Sequence, residues 1–153
     1  MVPDAIADAA GRIELLIGYT KDDAAPFVAM DPRVARFTRV PVLGRLAVRA
    51  GSAAITKQAF SGPAERLAAA WRAHGGRVGT YRFDWTPDNA PLGACHCMEL
   101  PFLFGTPQTW ADAPMLGPQR EIDSQLSAEM RTRWTQFAHR GVESLPAPAL
   151  RFG

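Results

Sequence analysis

Two short apolar segments, set far apart along the chain, most constrain the fold that this sequence can adopt. Residues 13–19 (Ile-Glu-Leu-Leu-Ile-Gly-Tyr) have the length and apolar content of a strand buried on both faces. Residues 77–85 are rich in the aromatic and branched side chains that strands favour. Helix-forming sequence lies between them, and a helical crossover is the usual connection between parallel neighbours. The sequence therefore predicts an α/β fold with parallel strands.

The helix that precedes the second predicted strand has clear signals at both ends. Pro63 suits the first helical position, Glu65 suits the third, and the glycine pair at 75 and 76 suits the end. The segment 41–60 is ambiguous, because its apolar spacing suits a helix but it contains two glycines. We expect helices to cover the sheet in this part of the chain.

Two further helices are predicted outside this region. Asp31 and Pro32 are the residue types of an N-cap and a first helical position, which predicts a short helix ending near Phe37. Residues 105–118 contain three prolines and two glycines and are predicted to be irregular. After them, apolar residues recur every three or four positions and predict a helix of about five turns. These residues are Ile122, Leu126, Met130, Trp134 and Phe137.

Composition and charge exclude several classes of partner. The chain has 47% hydrophobic and 21% charged residues, close to an ordinary globular domain. Its net charge of +2 is too small to predict binding to nucleic acid or to a membrane. Cys95 and Cys97 are separated by one residue, and a disulfide across so short a loop would be strained. Free thiols, together with the lack of a signal-peptide pattern near Met1, predict a cytoplasmic protein.

An aspartate and a histidine follow the two predicted strands, at the edge of the sheet where α/β proteins place their chemistry. Asp23 comes soon after the first strand, and His96 lies in the loop after the second. They could be two members of a Ser-His-Asp triad, in which the acid orients the imidazole and the imidazole takes the serine proton. Alternatively, Asp23 lies in a solvated turn and His96 is a packed loop residue. Spacing alone leaves both interpretations open.

Two sequence motifs resemble those of the type-B carboxylesterases, which include the para-nitrobenzyl esterases and the cholinesterases. Residues 93–105 (Gly-Ala-Cys-His-Cys-Met-Glu-Leu-Pro-Phe-Leu-Phe-Gly) resemble the histidine motif Gly-Ala-x-His-x-x-Glu-Leu-Pro-Phe-Val-Phe-Gly. Residues 15–23 (Leu-Leu-Ile-Gly-Tyr-Thr-Lys-Asp-Asp) resemble Leu-Leu-Ile-Gly-Thr-x-Lys/Arg-Asp-Glu, which ends in the catalytic acid of the family. The similarity extends over almost the whole chain, including residues 81–83 and 130–138.

The resemblance implies a fold class and a set of site residues. It implies that residues 1–153 form one partial domain, the C-terminal third of an α/β-hydrolase fold, with His96 and Asp23 as catalytic residues. Glu99 is expected to have a supporting or structural role rather than a role as a metal ligand. The chain departs from the family at four positions. It has Asp23-Ala24 where Glu-Gly is usual, Cys97 where glycine or alanine follows the histidine, and Lys57 in place of an aspartate.

The nucleophile of the triad is missing from the motifs of this chain. A nucleophile elbow needs the pattern Gly-x-Ser-x-Gly, and none of the five serines lies in one. Loss of the nucleophile costs on the order of 10⁶ in turnover, so the isolated chain is expected to be inactive as a serine esterase. The serines are Ser52, Ser61, Ser124, Ser127 and Ser144.

Two functions from different classes remain open. The chain is either part of an ester hydrolase, completed by a serine-bearing N-terminal portion that brings the small-molecule ester substrate, or a binding or scaffold domain that has lost catalysis. A sheet cut from a larger one exposes an edge, through which we also expect self-association. Cys95 and Cys97 around His96 hint at a metal, but no further ligand has a recognisable spacing, and neither a metal nor another cofactor is predicted.

Overall fold

The centre of the fold is a small parallel sheet. The computed structural model describes residues 2–35, 41–88, 92–105, 107–110, 112–117 and 121–153. Strands β1 (Leu15–Thr20), β2 (Val78–Phe83) and β3 (Ala149–Phe152) lie in the order β1-β2-β3. Both neighbouring pairs are parallel, with Leu15 opposite Val78 and Phe83 opposite Phe152. The predicted α/β arrangement is confirmed, with a third strand that the sequence had not indicated.

Eight α-helices, two 3₁₀-helices and one π-helix accompany the sheet within the described residues. The α-helices are α1 (Val2–Ala10), α2 (Ala25–Met30), α3 (Pro32–Ala35), α4 (Pro41–Thr56), α5 (Gly62–Ala73), α6 (Leu100–Phe104), α7 (Pro107–Trp110) and α8 (Ser124–Arg140). The π-helix is Lys57–Ser61, and the 3₁₀-helices are Pro114–Leu116 and Val142–Ser144.

The helices form one layer on each face of the sheet. On one face, α1 and α5 cover the beginning of the strands, where Ala68 and Trp71 pack on Val78. On the other face, α6 and α8 cover the ends of β2 and β3, where Phe83, Phe102 and Phe152 form the larger core. Burial of these aromatic side chains stabilises the sheet by removing a large apolar surface from water. This packing fixes the carboxyl ends of β1 and β2, after which Asp23 and His96 follow.

The first strand begins later than the sequence predicts. Ile13 is 59% exposed and precedes β1, so residues 15–19 of the predicted region are strand, and the strand extends one residue further to Thr20. Most of β1 is only partly buried, which differs from the expectation of burial on both faces. The strand lies at an edge of the described sheet, which explains why its apolar side chains are incompletely covered.

The segment between β1 and β2 contains a longer continuous helical stretch than the sequence predicts. Residues 41–60, which the sequence leaves open, are helical, and α4 continues through the π-helix into α5. The helix predicted to start at Pro63 therefore has no free first turn, and Ser61 makes no side-chain cap. Its predicted end is confirmed, since α5 stops before Gly75, which has a φ of +76°. The π-helix places Phe60 toward the histidine loop.

The remaining predictions agree with the structure in part. Helix α3 begins at Pro32 with the Asp31 side chain accepting a hydrogen bond from the amide of Arg33, whereas the predicted end near Phe37 lies outside the described residues. The five-turn helix is α8, and its buried Met130 belongs to the apolar stripe. The proline-rich region also contains α7 and a 3₁₀-helix. No helix in the described part of the chain is long and apolar enough to span a membrane.

Candidate active site

Asp23 is held in place directly after β1. Its Oδ2 accepts a hydrogen bond of 2.8 Å from the backbone amide of Thr20, the last residue of the strand. The side chain is only 5% exposed. A short turn thus folds the carboxylate back against the end of its own strand, so that Asp23 lies in a buried position and not in the solvated turn considered above.

The neighbouring aspartate connects the loops that follow the two strands. The backbone amide of Asp22 donates a hydrogen bond of 2.9 Å to the carbonyl of Ala94. The Asp22 side chain in turn accepts a hydrogen bond of 3.1 Å from the Ala94 amide. This pairing positions the histidine loop relative to the acid. The sequence motif contains Asp22, but its role in joining the loops was not predicted.

The structure brings Asp23 and His96 together. Nδ1 of His96 lies 2.8 Å from Oδ1 of Asp23, although the two residues are 73 positions apart in sequence. A carboxylate can only accept, so Nδ1 carries the proton in this contact, and the lone pair of the neutral ring is on Nε2. The histidine side chain is 44% exposed, and among the described residues no hydrogen bond reaches Nε2. The ring is therefore oriented by the acid at one nitrogen and open at the other.

Two residues of the histidine loop have a left-handed backbone. Gly93 has a φ of +61°, and a Cβ at this position would collide with the carboxylate of Asp22. Cys97, directly after the histidine, has a φ of +66° and is the only non-glycine residue with positive φ in the described chain. The family position at which Cys97 replaces glycine or alanine is thus one where the backbone favours glycine.

Two phenylalanines pack against the histidine ring. The centroid of Phe27 in α2 lies 5.5 Å from that of His96, and the centroid of Phe60 in the π-helix lies 5.3 Å from it. The two phenyl rings are themselves stacked, with centroids 6.1 Å apart. Phe27 is 48% exposed. No periodic pattern in the sequence predicted this three-ring cluster, because its members come from three separate segments.

A cavity of about 320 Å³ opens beside the histidine. Its polar side chains include those of Asp23, His96 and Glu99, and the rest of the lining is mostly apolar. None of the described residues that line it is a serine. The apolar and small lining residues are Ile17, Gly18, Ala59, Phe60, Pro63, Ala64 and Leu67.

Glu99 is the second carboxyl group of the cavity. Burial raises its pKa, the negative charge of Asp23 adds to this effect, and its backbone hydrogen bond and His96 oppose it. Its Oε2 is buried and has no hydrogen-bond partner among the described residues. Within the described ranges no three histidine, cysteine or acidic side chains form a group that could hold a metal ion.

The thiols and the serines do not form an activated nucleophile in the described chain. Burial raises the pKa of Cys95 to about 11, and it raises that of Cys97, to which the charges of Glu99 and Asp23 also contribute. Both therefore stay protonated at neutral pH. Ser127 donates a hydrogen bond to the carbonyl of Phe102, and Ser144 donates one to the carbonyl of Gly141. Ser52 and Ser61 are buried, and Ser124 opens α8.

A sequence profile of the carboxylesterase family matches residues 46–149, which is more than half of the chain. The chain belongs to the carboxylesterase family. Its histidine motif lies inside the matched region, whereas the motif that ends in Asp23 precedes it.

Curated relatives extend the similarity over nearly the whole chain. A "probable N-octanoylanthranilate hydrolase" from Rhodococcus erythropolis is 37% identical over 145 residues, covering 93% of this chain and 32% of the relative. The para-nitrobenzyl esterase of Bacillus subtilis is 31% identical over 164 residues, covering 94% of this chain and 32% of the relative. The chain therefore spans about a third of the length of these relatives.

Solved structures give the same result for the fold. A para-nitrobenzyl esterase matches with a TM-score of 0.63 and 27% identity, over 94% of this chain and 33% of that structure. The carboxylesterase of Geobacillus stearothermophilus matches with a TM-score of 0.65 and 25% identity, over 95% of this chain and 36% of that structure. The fold is part of an α/β-hydrolase, as the sequence motifs implied. The catalytic roles of Asp23 and His96 and the supporting role of Glu99 stay predictions.

Proposed function

We propose that this chain supplies the acid and the histidine of a carboxylic ester hydrolase, and that the nucleophilic serine comes from a separate, N-terminal portion of the enzyme. One observation carries the proposal: Nδ1 of His96 lies 2.8 Å from the buried carboxylate of Asp23, while no described hydrogen bond reaches Nε2 and the residue lines the cavity. This is the geometry that a triad histidine needs before the serine is added.

Each residue then has a defined task in the reaction. Nε2 of His96 takes the proton of the serine hydroxyl as that oxygen attacks the ester carbonyl, and later gives it to the leaving alcohol. Asp23 keeps Nδ1 protonated and stabilises the imidazolium that forms. Its side chain is one methylene shorter than the usual glutamate of the family, and it reaches His96 nonetheless. Phe27 and Phe60 limit the movement of the ring from the side.

The lining of the cavity supports an apolar substrate. The relatives are named for N-octanoylanthranilate and for a para-nitrobenzyl group, both of which contain an aromatic ring. In this chain, Phe60 and Leu67 would contact such a group beside His96. We propose esters with an aryl or alkyl group as the substrate class, and the serine-bearing portion would complete the pocket.

A chimera tests the proposal. The corresponding C-terminal segment of the Bacillus subtilis para-nitrobenzyl esterase is replaced by residues 1–153, and hydrolysis of an alkyl ester is measured together with labelling by a fluorophosphonate. We expect the folded chimera to be active and labelled, and the isolated chain to be neither, because the reagent requires an activated serine. In the chimera, His96→Ala should reduce kcat on the order of 10⁶-fold.

Matched controls separate the triad from general effects on folding. His139→Ala changes an exposed histidine at the end of α8 and should leave kcat unchanged. Asp23→Asn should reduce kcat by about 10⁴-fold, because the amide no longer holds the correct tautomer. A monodisperse, fully folded chimera without activity would contradict the proposal and favour a non-catalytic binding or scaffold domain.

A further inference from the structure

His96 has the tautomer and the free ring nitrogen that a nucleophilic imidazole needs, even without a serine. Asp23 accepts the proton on Nδ1, so the lone pair needed for attack is on Nε2. The side chain is 44% exposed, and no described residue donates a hydrogen bond to Nε2. In addition, the buried Asp23 carboxylate lies beside the ring and would stabilise positive charge that develops on it. Nε2 is therefore free of hydrogen bonds to the described residues, and it belongs to a side chain that lines the cavity.

The surroundings of Nε2 can hold an aromatic ester. Phe60 lines the cavity and packs on the imidazole, and the half-exposed Phe27 stacks on Phe60. An aryl group would be attracted both by removal of apolar surface from water and by stacking on these rings. Holding the ester carbonyl next to Nε2 converts a bimolecular reaction into an effectively unimolecular one. The cavity volume of about 320 Å³ lies at the small end of ligand pockets and suits a single aryl ester.

We infer that the isolated chain slowly hydrolyses activated aryl esters, with Nε2 of His96 as the nucleophile. Nε2 forms a bond to the acyl carbon, the bond from that carbon to the aryl oxygen breaks, and the phenolate leaves with the electron pair. The product is an acyl-imidazolium in which Nδ1 keeps its proton and its hydrogen bond to Asp23. Water then adds to the acyl carbon, the carbon–nitrogen bond breaks with its electron pair returning to Nε2, and the carboxylic acid is released. The second proton of the water passes through solvent to the phenolate. The sum is ester plus water giving acid plus phenol, with no change in oxidation state.

The leaving group limits this activity to activated esters. A nitrophenolate is stable enough to be expelled by an imidazole, whereas an alkoxide is a far poorer leaving group than the imidazole itself. Alkyl esters therefore should not react with the isolated chain. This activity goes beyond the proposed function and needs no serine, so its failure would leave the chimera experiment unaffected.

The test compares the isolated chain with free imidazole. Release of para-nitrophenolate from para-nitrophenyl acetate is followed at neutral pH, with ethyl acetate as the unreactive substrate. We expect saturation with substrate and a rate constant at least about tenfold above that of free imidazole at the same concentration. His96→Ala and His96→Gln should both fall to background, while His139→Ala and His74→Ala, at exposed positions, should not change the rate. Circular dichroism confirms that each variant is folded.

Further variants identify the nucleophile and the binding surface. Cys97→Ala and Cys95→Ala should keep the activity, because burial keeps both thiols protonated at neutral pH. Phe60→Leu and Phe27→Leu should raise KM several-fold with a smaller effect on kcat, since they remove stacking but not the nucleophile. Rapid acid quench and mass spectrometry should find one acetyl group on the peptide that contains His96.

Three results would overturn the inference. A rate no greater than that of free imidazole would show that the cavity does not hold the ester. Activity that survives in folded His96→Ala and His96→Gln would assign the reaction to another group. Loss of activity in a folded Cys97→Ala variant would identify a thiol as the nucleophile.

Discussion

Cys97 illustrates how a single backbone angle can explain a departure from a family motif. Its φ of +66° lies in the left-handed region, where a side chain with a Cβ is unfavourable by about 1–2 kcal/mol. Glycine avoids this cost in the folded state but loses more conformational entropy on folding. A β-branched residue is the worst choice at such an angle. Cysteine is therefore tolerated here, since it is small and unbranched.

A pair of substitutions tests this explanation. Cys97→Gly should be at least as stable as the parent chain, whereas Cys97→Val should lower the free energy of unfolding by at least about 1 kcal/mol. Both variants lose the thiol, so its removal cancels from their difference, and the entropy that glycine loses on folding acts against the expected order. Urea unfolding gives the two free energies. Equal stability of the glycine and valine variants would mean that the loop has changed its conformation.

Cys95 makes the free energy of unfolding depend on pH in the alkaline range. It is only 1% exposed, and burial raises its pKa from an ordinary 9.0 to about 11. Because the folded state disfavours the thiolate, the stabilisation is fully present below the unfolded pKa and is lost as pH rises through the folded pKa. Between about pH 8 and about pH 11 this loss amounts to about 2 kcal/mol.

The Cys95→Ala variant isolates that contribution. Its free energy of unfolding should be lower than that of the parent chain at neutral pH, because a buried group is removed. As pH rises toward 11, the difference between the two proteins should shrink by about 2 kcal/mol. Denaturant unfolding at a series of pH values measures it. Parallel pH profiles for the two proteins would show that Cys95 ionises as freely in the folded state as in the unfolded state.

At the scale of secondary structure, α8 is the element that its own sequence specifies most completely. Its apolar stripe predicted the packing face, and Asp123 caps it by accepting hydrogen bonds of 2.9 Å from the amides of Gln125 and Leu126. Gly141, with a φ of +70°, ends it. Every signal is local, which is why a helix of about five turns could be predicted here from the sequence.

Removal of the cap should have a measurable cost. Asp123→Ala leaves two amide groups of the first turn without a partner and should lower the free energy of unfolding by about 1 kcal/mol. Ser124→Ala, one position later and exposed, is the matched control and should have little effect. Thermal unfolding followed by circular dichroism compares the variants. An equal loss in both would indicate that α8 is stabilised by packing and not by its cap.

Other elements depend on contacts that no local pattern contains. Pro63 predicted the start of a separate helix, yet the chain passes from α4 through the π-helix into α5, and both helices pack against other elements. Strand β3 is only four residues long and follows a proline-rich segment, so it exists because β2 offers it a partner. Part of the candidate site likewise depends on contacts between distant segments. Asp23 and His96 were predicted from motifs, while Phe27 and Phe60 approach the histidine only in the folded chain.

At the scale of the whole molecule, the described sheet has two unpaired edges. Within the described ranges, β1 and β3 each pair only with β2. Large apolar side chains are also exposed. Ile13, beside β1, is 59% exposed, and Phe104, at the end of α6, is 70% exposed. Unpaired parallel strands bind other chains readily. These features are consistent with a chain that covers about a third of its relatives.

We therefore expect the isolated chain to associate with itself as its concentration rises. Sedimentation velocity over a range of concentrations measures this. Ile13→Lys adds a charge next to the edge of β1 and should weaken association, whereas Phe104→Lys adds the same charge on the opposite layer and should affect it less. A chain that stays monomeric at every concentration would contradict the expectation, and it would favour a domain that has adapted to exist alone.

The contact between His96 and Asp23 also has a consequence for folding kinetics. The two residues are 73 positions apart, and the whole crossover from β1 to β2 must be arranged before they can meet. Contacts of such long sequence separation form slowly, because the entropy of closing the loop is lost before the contact stabilises anything. The imidazole signal of His96 in an NMR refolding experiment would therefore appear together with the docking of the two strands, after the local helices. The hydrogen bond between His96 and Asp23 thus reports when the sheet has assembled during folding.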